Sequence, residues 1–152
     1  MTQFKQPTVE EDLAGLDMIY REHILDHYKN PRNSGKLEDY DIHYFDNNPL
    51  CGDEIGIWLK LDRNNGQKII DIKFTGRGCA ISQCSASMLT EEIKDKSLEE
   101  VKQIKNQDVL DMLAIPISPV RMICAILALK VLEAGIYQYE KKQVQQKISI
   151  QE

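Results

Sequence analysis

The sequence predicts an α+β fold: a small three-stranded antiparallel sheet with helices packed on one face. Apolar residues alternate with a period of two between residues 40 and 74, and they recur at helical spacing before and after that stretch. One helix should precede the sheet and four should follow it, an order typical of a sheet covered on one side. At 152 residues, 42% of them hydrophobic, the chain is long enough for one domain with a modest core.

The first predicted element is a helix over residues 18–29. Its apolar residues lie three to four positions apart, and Pro31 ends the pattern because it biases Asn30 away from helical backbone. Residues 1–17 show no strong period and are expected to form a flexible lead-in. They lack the basic start and apolar middle of a secretory signal.

Three strands are expected next, over residues 40–45, 54–61 and 68–74. In the second, Ile55, Ile57 and Leu59 fall on one face and alternate with Gly56, Trp58 and Lys60. An Asn-Gly pair within residues 62–66 predicts a hairpin between the second and third strands.

Helical spacing after Gly76 predicts four helices, over residues 80–94, 98–104, 108–113 and 120–139. Residues 18–139 should therefore form one domain. The polar tail, residues 140–152, should either fray or extend the last helix.

Composition narrows the class of protein. A net charge of −5 and a pI near 5.3 argue against a nucleic-acid binder, which would show a basic face. The longest apolar run in the C-terminal half, residues 123–129, is too short to cross a bilayer. We expect a cytoplasmic protein with neither nucleic acid nor membrane as partner. In a reducing compartment its four cysteines would be metal ligands, reactive thiols or core residues.

The first cysteine motif is Asn48-Pro-Leu-Cys51-Gly-Asp53. Cys51 and Asp53 are two residues apart, so in extended backbone their side chains leave the same face. Gly52 lets the chain bend until thiolate and carboxylate meet one ion. A turn rich in Pro and Gly with a chance cysteine is the other interpretation.

The second motif places Cys79 where a strand ends and a helix begins, after Gly76 and Gly78. A thiol at a helix N-terminus has a lowered pKa, which favours a ligand or a sulfur acceptor. Cys84 lies roughly 140° further around that helix, so it is expected to be a core residue.

The third motif is Ser118-Pro119-Val-Arg121-Met-Ile-Cys124. Ser118 and Pro119 are typical of a helix start, which puts Cys124 in the second turn. Arg121 precedes it by three residues and could steady an anionic sulfur. Taken alone, Cys124 would be interpreted as a core residue.

Three thiolates and one carboxylate could form a tetrahedral site for Zn²⁺ or an iron–sulfur cluster, because soft thiolates select both. A carboxylate in place of a fourth thiolate makes a weaker, more exchangeable site, as a carrier requires. The histidines, His23, His27 and His43, are expected to be surface or packing residues.

In this order, the three motifs resemble those of the NifU/IscU/SufU family of iron–sulfur cluster assembly scaffolds. Residues 20–33, which read YREHILDHYKNPRN, are similar to the family's N-terminal helix and the loop after it. The resemblance extends from about Met18 to Tyr139 and implies the predicted fold.

The resemblance also implies an activity. Family members receive persulfide sulfur from a cysteine desulfurase, assemble a labile [2Fe–2S] cluster and pass it to acceptor proteins. Cys51, Cys79, Cys124 and Asp53 would then be ligands of the cluster or of Zn²⁺, and the cluster-loaded form would be a homodimer. Tyr20 matches a family tyrosine but is not assigned a role.

Two departures leave the branch of the family open. Ile123 stands where one branch has a histidine and another a lysine, which makes Asp53 the better fourth ligand. The segment between Cys79 and Cys124 is too short to contain the insertion of the SufU branch. Residues 118–121 nevertheless resemble the sequence of that branch. The chain could therefore be a scaffold or a zinc-bound sulfurtransferase that takes persulfide on Cys51. A third hypothesis is that the chain is a purely structural zinc domain.

Overall fold

The computed structural model describes residues 18–50 and 52–151, and it confirms the α+β fold. The expected lead-in, residues 1–17, lies outside the described residues. The elements are, in order, α1 (Met18–Lys29), β1 (Ile42–Asn48), β2 (Asp53–Asp62), β3 (Lys68–Arg77), α2 (Ala80–Ile93), α3 (Leu98–Val101), α4 (Asn106–Leu113) and α5 (Pro119–Gln151).

The three strands form an antiparallel sheet in the order β1-β2-β3. Ile57, in the middle of the central strand, lies opposite Tyr44 on one side and Phe74 on the other. The hairpin between β2 and β3 turns at Gly66, whose φ of +66° is a backbone conformation that glycine adopts without strain. The predicted Asn-Gly turn is therefore confirmed.

Helices α2 and α5 cover one face of this sheet and enclose the main core. Leu89 and Leu132 of the two helices join Leu59 of the sheet in one buried cluster. Gly135 brings α5 close to β1, because a Cβ atom there would lie 3.1 Å from Ile42. The opposite face of the sheet carries no helix among the described residues. Even so, Trp58 on that face is only 8% exposed, since the ring of His43 stacks on it at 4.3 Å.

The strands extend further than the sequence predicts, and the extension matters for the site. β1 begins at Ile42 and continues to Asn48, and β3 continues to Arg77. In the register of the sheet Asn48 faces Asp53, and Glu54 faces Arg77. The last residues of β1 and β3 and the first residue of β2 therefore lie together, at the end of the sheet where the motifs lie. At the C-terminal end of the described chain, residues 140–151 continue α5 as one helix.

No helix among residues 18–50 and 52–151 is long and apolar enough to cross a membrane.

A buried polar contact holds α1 against α2. His27 is 6% exposed, and its Nδ1 lies 2.8 Å from the hydroxyl of Ser87. The same hydroxyl accepts the backbone N–H of Arg32 at 2.9 Å. His27 is thus a packing residue, as expected, and it also fixes the loop after α1.

We predict that this contact makes stability depend on pH. Burial, helped by the charges of Arg32 and His23, holds the pKa of His27 below its ordinary value of 6.5, against the opposing pull of Glu91 and Asp26. The unfolded chain therefore binds a proton more readily, and unfolding becomes easier as the pH falls below about 6.5.

Urea unfolding midpoints between pH 7.5 and 5 test this prediction. His27→Gln should flatten the decline. His23→Gln changes an exposed histidine and removes one smaller cause of the lowered pKa, so it should keep most of the decline. Parallel curves for wild type and His27→Gln would contradict the assignment.

Candidate metal centre

Three of the four predicted ligands meet at one end of the domain. Asp53 begins β2, Cys79 immediately precedes α2, and Cys124 lies in the second turn of α5. Their ligand atoms lie within 4.8 Å of one another, and all three side chains are buried. The fourth predicted ligand, Cys51, lies outside the described residues, as does the side chain of Tyr20.

The carboxylate of Asp53 is held by hydrogen bonds from the start of α2 rather than by its own strand. Its Oδ1 accepts the backbone N–H of Cys79 at 3.0 Å, and its Oδ2 accepts the Cys79 thiol at 3.4 Å. Asp53 is 0% exposed, and a carboxylate so buried needs such donors or a cation to offset its lost hydration. The aspartate is thus positioned at the start of a helix, where anions are favoured.

Two glycines allow Asp53 to reach this position. Gly52 has a φ of +74° and Gly78 a φ of +141°, both in the region that other residues avoid. A Cβ atom on Gly78 would lie 2.1 Å from Asp53 Oδ1. The sequence shows glycines near Cys79, but the contact between Gly78 and Asp53 becomes visible only in the register of the sheet.

The pKa of the Cys79 thiol is lowered from its ordinary value, which favours the thiolate form. Its backbone, with φ −73° and ψ 163°, is extended at the N-cap position of α2. A hydrogen bond with Cys124 lowers the pKa of the Cys79 thiol, while burial raises it. The backbone of Ser82 and the charge of Arg121 lower this pKa further, and the charge of Asp53 opposes them. The direction agrees with the expectation from the helix start.

Cys124 is placed by the helix that begins at Pro119. The backbone N–H groups of Arg121 and Met122 both donate to the carbonyl of Ser118, at 2.9 and 3.0 Å. The Arg121 guanidinium lies 3.8 Å from the Cys124 sulfur. A cation therefore flanks the sulfur pair, as the spacing of three residues predicts. Ile123, next to Cys124 in sequence, is 45% exposed.

Cys84 does not join the group of ligand atoms. Its thiol donates to the backbone carbonyl of Ile24 at 3.0 Å, across the contact between α1 and α2. It is 0% exposed and packs in the apolar cluster beneath the site. The prediction that Cys84 is a core residue agrees with this placement.

The donor set fits a soft metal centre. Two sulfurs and a carboxylate are typical ligands of Zn²⁺, for which Zn–S bonds of about 2.3 Å require sulfurs roughly 3.8 Å apart. The observed separations of up to 4.8 Å would close by about an ångström on binding.

The comparisons with known proteins agree with the geometry. The family model of the NifU-like N-terminal domain matches residues 19–146. The chain belongs to this family. A solved structure of an iron–sulfur cluster assembly scaffold protein for the SUF system, from Fervidobacterium islandicum, superposes with a TM-score of 0.64 at 32% identity, covering 80% of this chain and 98% of that one.

Two curated relatives carry different activities in their names. The zinc-dependent sulfurtransferase SufU of Bacillus subtilis is 41% identical over 144 residues, covering 84% of this chain and 95% of the relative. The iron–sulfur cluster assembly scaffold protein IscU of Haemophilus influenzae is 40% identical over 129 residues, covering 83% and 99%. This NifU-like domain is therefore similar to both branches.

The two alignments differ in length. The alignment with SufU spans 144 positions but takes in about 128 residues of this chain, so roughly 16 positions face gaps. The alignment with IscU spans 129 positions and takes in about 126, so it is nearly free of gaps in this chain. The domain is thus shorter than SufU, as the short step between the second and third cysteines suggests.

Proposed function

We propose that this NifU-like domain is an iron–sulfur cluster assembly scaffold. It accepts persulfide sulfur from a cysteine desulfurase, assembles a labile [2Fe–2S] cluster on Cys51, Asp53, Cys79 and Cys124, and passes it to acceptor proteins. The convergence of Asp53, Cys79 and Cys124 within 4.8 Å carries the proposal, because a soft, sulfur-rich donor set from three elements suits such a cargo.

Each side chain has a distinct task in this proposal. Cys79 and Cys124 are the buried, fixed ligands, while Arg121 offsets part of their negative charge. Cys51, beside Gly52, is the acceptor of persulfide sulfur and the ligand that closes the site. Asp53 gives the weakest bond of the four, since a hard carboxylate suits iron and zinc less well than thiolate does. Its weak bond allows the cargo to leave.

A zinc-bound sulfurtransferase is the second candidate, favoured by the 41% identity to the SufU of Bacillus subtilis. In that case the same four residues would bind Zn²⁺, and Cys51 would dissociate from the ion to accept persulfide sulfur from the desulfurase. The nearly gapless alignment with a scaffold protein supports the scaffold instead. In either case we propose a cytoplasmic protein that meets a desulfurase. For the scaffold we also propose a homodimer when it is cluster-loaded.

Desulfurase turnover with the zinc-loaded protein distinguishes the two functions. A scaffold should stimulate turnover little while zinc occupies the site, and a cluster chromophore should form once ferrous iron, cysteine and a reductant replace zinc. A sulfurtransferase should stimulate turnover strongly while zinc stays bound and should form no chromophore. That second outcome would overturn the scaffold proposal.

We predict that Asp53→Cys traps the cargo. A fourth thiolate should bind the cluster more tightly, so that transfer to an apo-ferredoxin slows by about tenfold or more. Transfer is followed by the circular dichroism of the acceptor. Glu54→Gln, at the neighbouring position but ion-paired to Arg77 at the surface, is the control and should transfer at the wild-type rate. Faster transfer by Asp53→Cys would contradict the role given to Asp53.

A further inference from the structure

Within the described part of the chain, one edge strand of the sheet is covered by other backbone segments and the other is not. The outer edge of β3 is covered by the loop after α1. The backbone N–H of Gly35 donates to the carbonyl of Phe74, and the N–H of Phe74 donates to the carbonyl of Asn33, both at 2.8 Å. Further along, Ile69 exchanges backbone hydrogen bonds with Asp95 and Lys96 at 2.9 and 2.8 Å. β1, by contrast, pairs with β2 along Ile42–Asn48 and with no other strand of the described residues.

The open edge also lacks the features by which proteins usually protect one. Exposed edge strands commonly carry lysine, proline or a bulge that discourages pairing with another chain. Residues 37–48 contain no lysine, arginine or proline. The register of β1 against β2 runs without a break over seven pairs. This edge is therefore regular enough to accept a further strand.

Aromatic side chains border the edge on the open face of the sheet. Phe45 is 53% exposed and Tyr40 is 45% exposed, and the ring of Tyr40 contacts the ring of His43. Gly56 lets the Phe45 ring lie close over the neighbouring strand, since a Cβ there would lie 3.4 Å from that ring. Side chains of an added strand could pack on these rings.

The charge of the segment indicates which strand would fit. Residues 37–50 carry four carboxylates, Glu38, Asp39, Asp41 and Asp46, against no lysine or arginine. Asp39 and Asp41 pair with Lys60, whereas Glu38 and Asp46 are exposed at either end of the edge. Phe45 lies opposite Gly56 on the open face, whereas Asp46 lies opposite Ile55 and leaves the other face. An added strand would therefore place apolar side chains against the Phe45 ring and cationic ones, at the alternate positions, beside Asp46. A second copy of this chain would instead place two acidic segments side by side.

We propose that β1 is a docking edge for an extended, cationic segment of a partner protein, which adds to the sheet as a fourth strand. Backbone hydrogen bonds to β1 supply affinity, the acidic side chains select lysine or arginine at alternating positions, and the aromatic side chains accept the apolar residues between them. β1 ends at Asn48, three residues before Cys51. A partner bound in this way is therefore held beside the loop that carries Cys51.

Hydrogen exchange followed by NMR on the full chain tests the proposal. The probe is a capped peptide of about eight residues that alternates lysine with valine, long enough to match β1. Amide exchange should slow by about tenfold or more at alternate residues of Ile42–Asn48, because only every second N–H of an edge strand points outward. A peptide with glutamate in place of lysine should give no protection.

Two charge variants separate docking from general attraction. Asp46→Lys should weaken binding of the cationic peptide by about fivefold or more. Asp111→Lys, which makes the same change of charge on α4, should leave affinity within about twofold. Equal weakening by both variants, protection outside β1, or equal binding of the acidic peptide would overturn the proposal. Outward amides of β1 already protected in the free protein would overturn it as well, since the edge would then be occupied.

Discussion

Replacing Gly78 by alanine is expected to abolish cargo binding and to cost about 2–4 kcal/mol of unfolding free energy. The added Cβ would lie 2.1 Å from Asp53 Oδ1 and 2.9 Å from its Cα. Neither side can yield easily, because Asp53 is fully buried and is bonded to the start of α2. The carboxylate must therefore leave the sulfurs, or the strand end must move.

Gly66→Ala is the matched control for this change. Gly66 also has a positive φ, +66°, but nothing lies within 4 Å of a Cβ built there. This variant should lose only about 1 kcal/mol from backbone strain and should bind zinc as the wild type does. Chemical unfolding and zinc titration measure both effects. Equal zinc affinity in Gly78→Ala and Gly66→Ala would refute the role given to Gly78.

The second large effect is expected from Cys79→Ser. A serine hydroxyl does not ionise near neutral pH and is a poor partner for a soft metal. Zinc affinity, measured by competition with a chromophoric chelator, should fall by about 100-fold or more. The fold should survive, because serine has nearly the same volume and can still donate to Asp53 Oδ2, as the thiol does.

Cys84→Ser provides the comparison within the same helix. Its thiol binds the carbonyl of Ile24, a contact that a hydroxyl can also make, so the loss of stability should be about 1 kcal/mol. Zinc affinity should stay within about twofold of wild type, because Cys84 supplies none of the clustered ligand atoms. A loss as large as that of Cys79→Ser would mean that Cys84 belongs to the site.

Local signals predicted part of the site, whereas the inclusion of Cys124 rested mainly on the family resemblance. A cysteine after a glycine pair at a helix start, and another in the second turn after Ser118-Pro119, both lie near helix N-termini. β3 ends at Arg77 and α2 begins at Ala80, so the start of α2 lies at one end of the sheet, and the packing of α5 brings Cys124 to the same place. Cys84 could be assigned to the core by its angle around α2 alone.

Other features depend on contacts distant in sequence and could not be predicted in this way. The clash that requires Gly78 depends on Asp53, 25 residues earlier. The hydroxyl that holds His27 belongs to Ser87, 60 residues later. The alternation of β2 places Trp58 on the open face, but only the stacked ring of His43 explains why it is buried. Residues 140–151 are rich in lysine and glutamine, so their continuation of α5 was left open.

Anaerobic reconstitution with ferrous iron, cysteine, a desulfurase and a reductant, followed by absorption spectroscopy, tests the central claim most directly. The scaffold account predicts a visible cluster chromophore with two irons and two sulfides per cluster. It also predicts that the chromophore is lost when Cys51, Cys79 and Cys124 are all changed to serine, while Cys84→Ser keeps it. No chromophore in the wild type, or one that persists in the triple variant, would contradict the account.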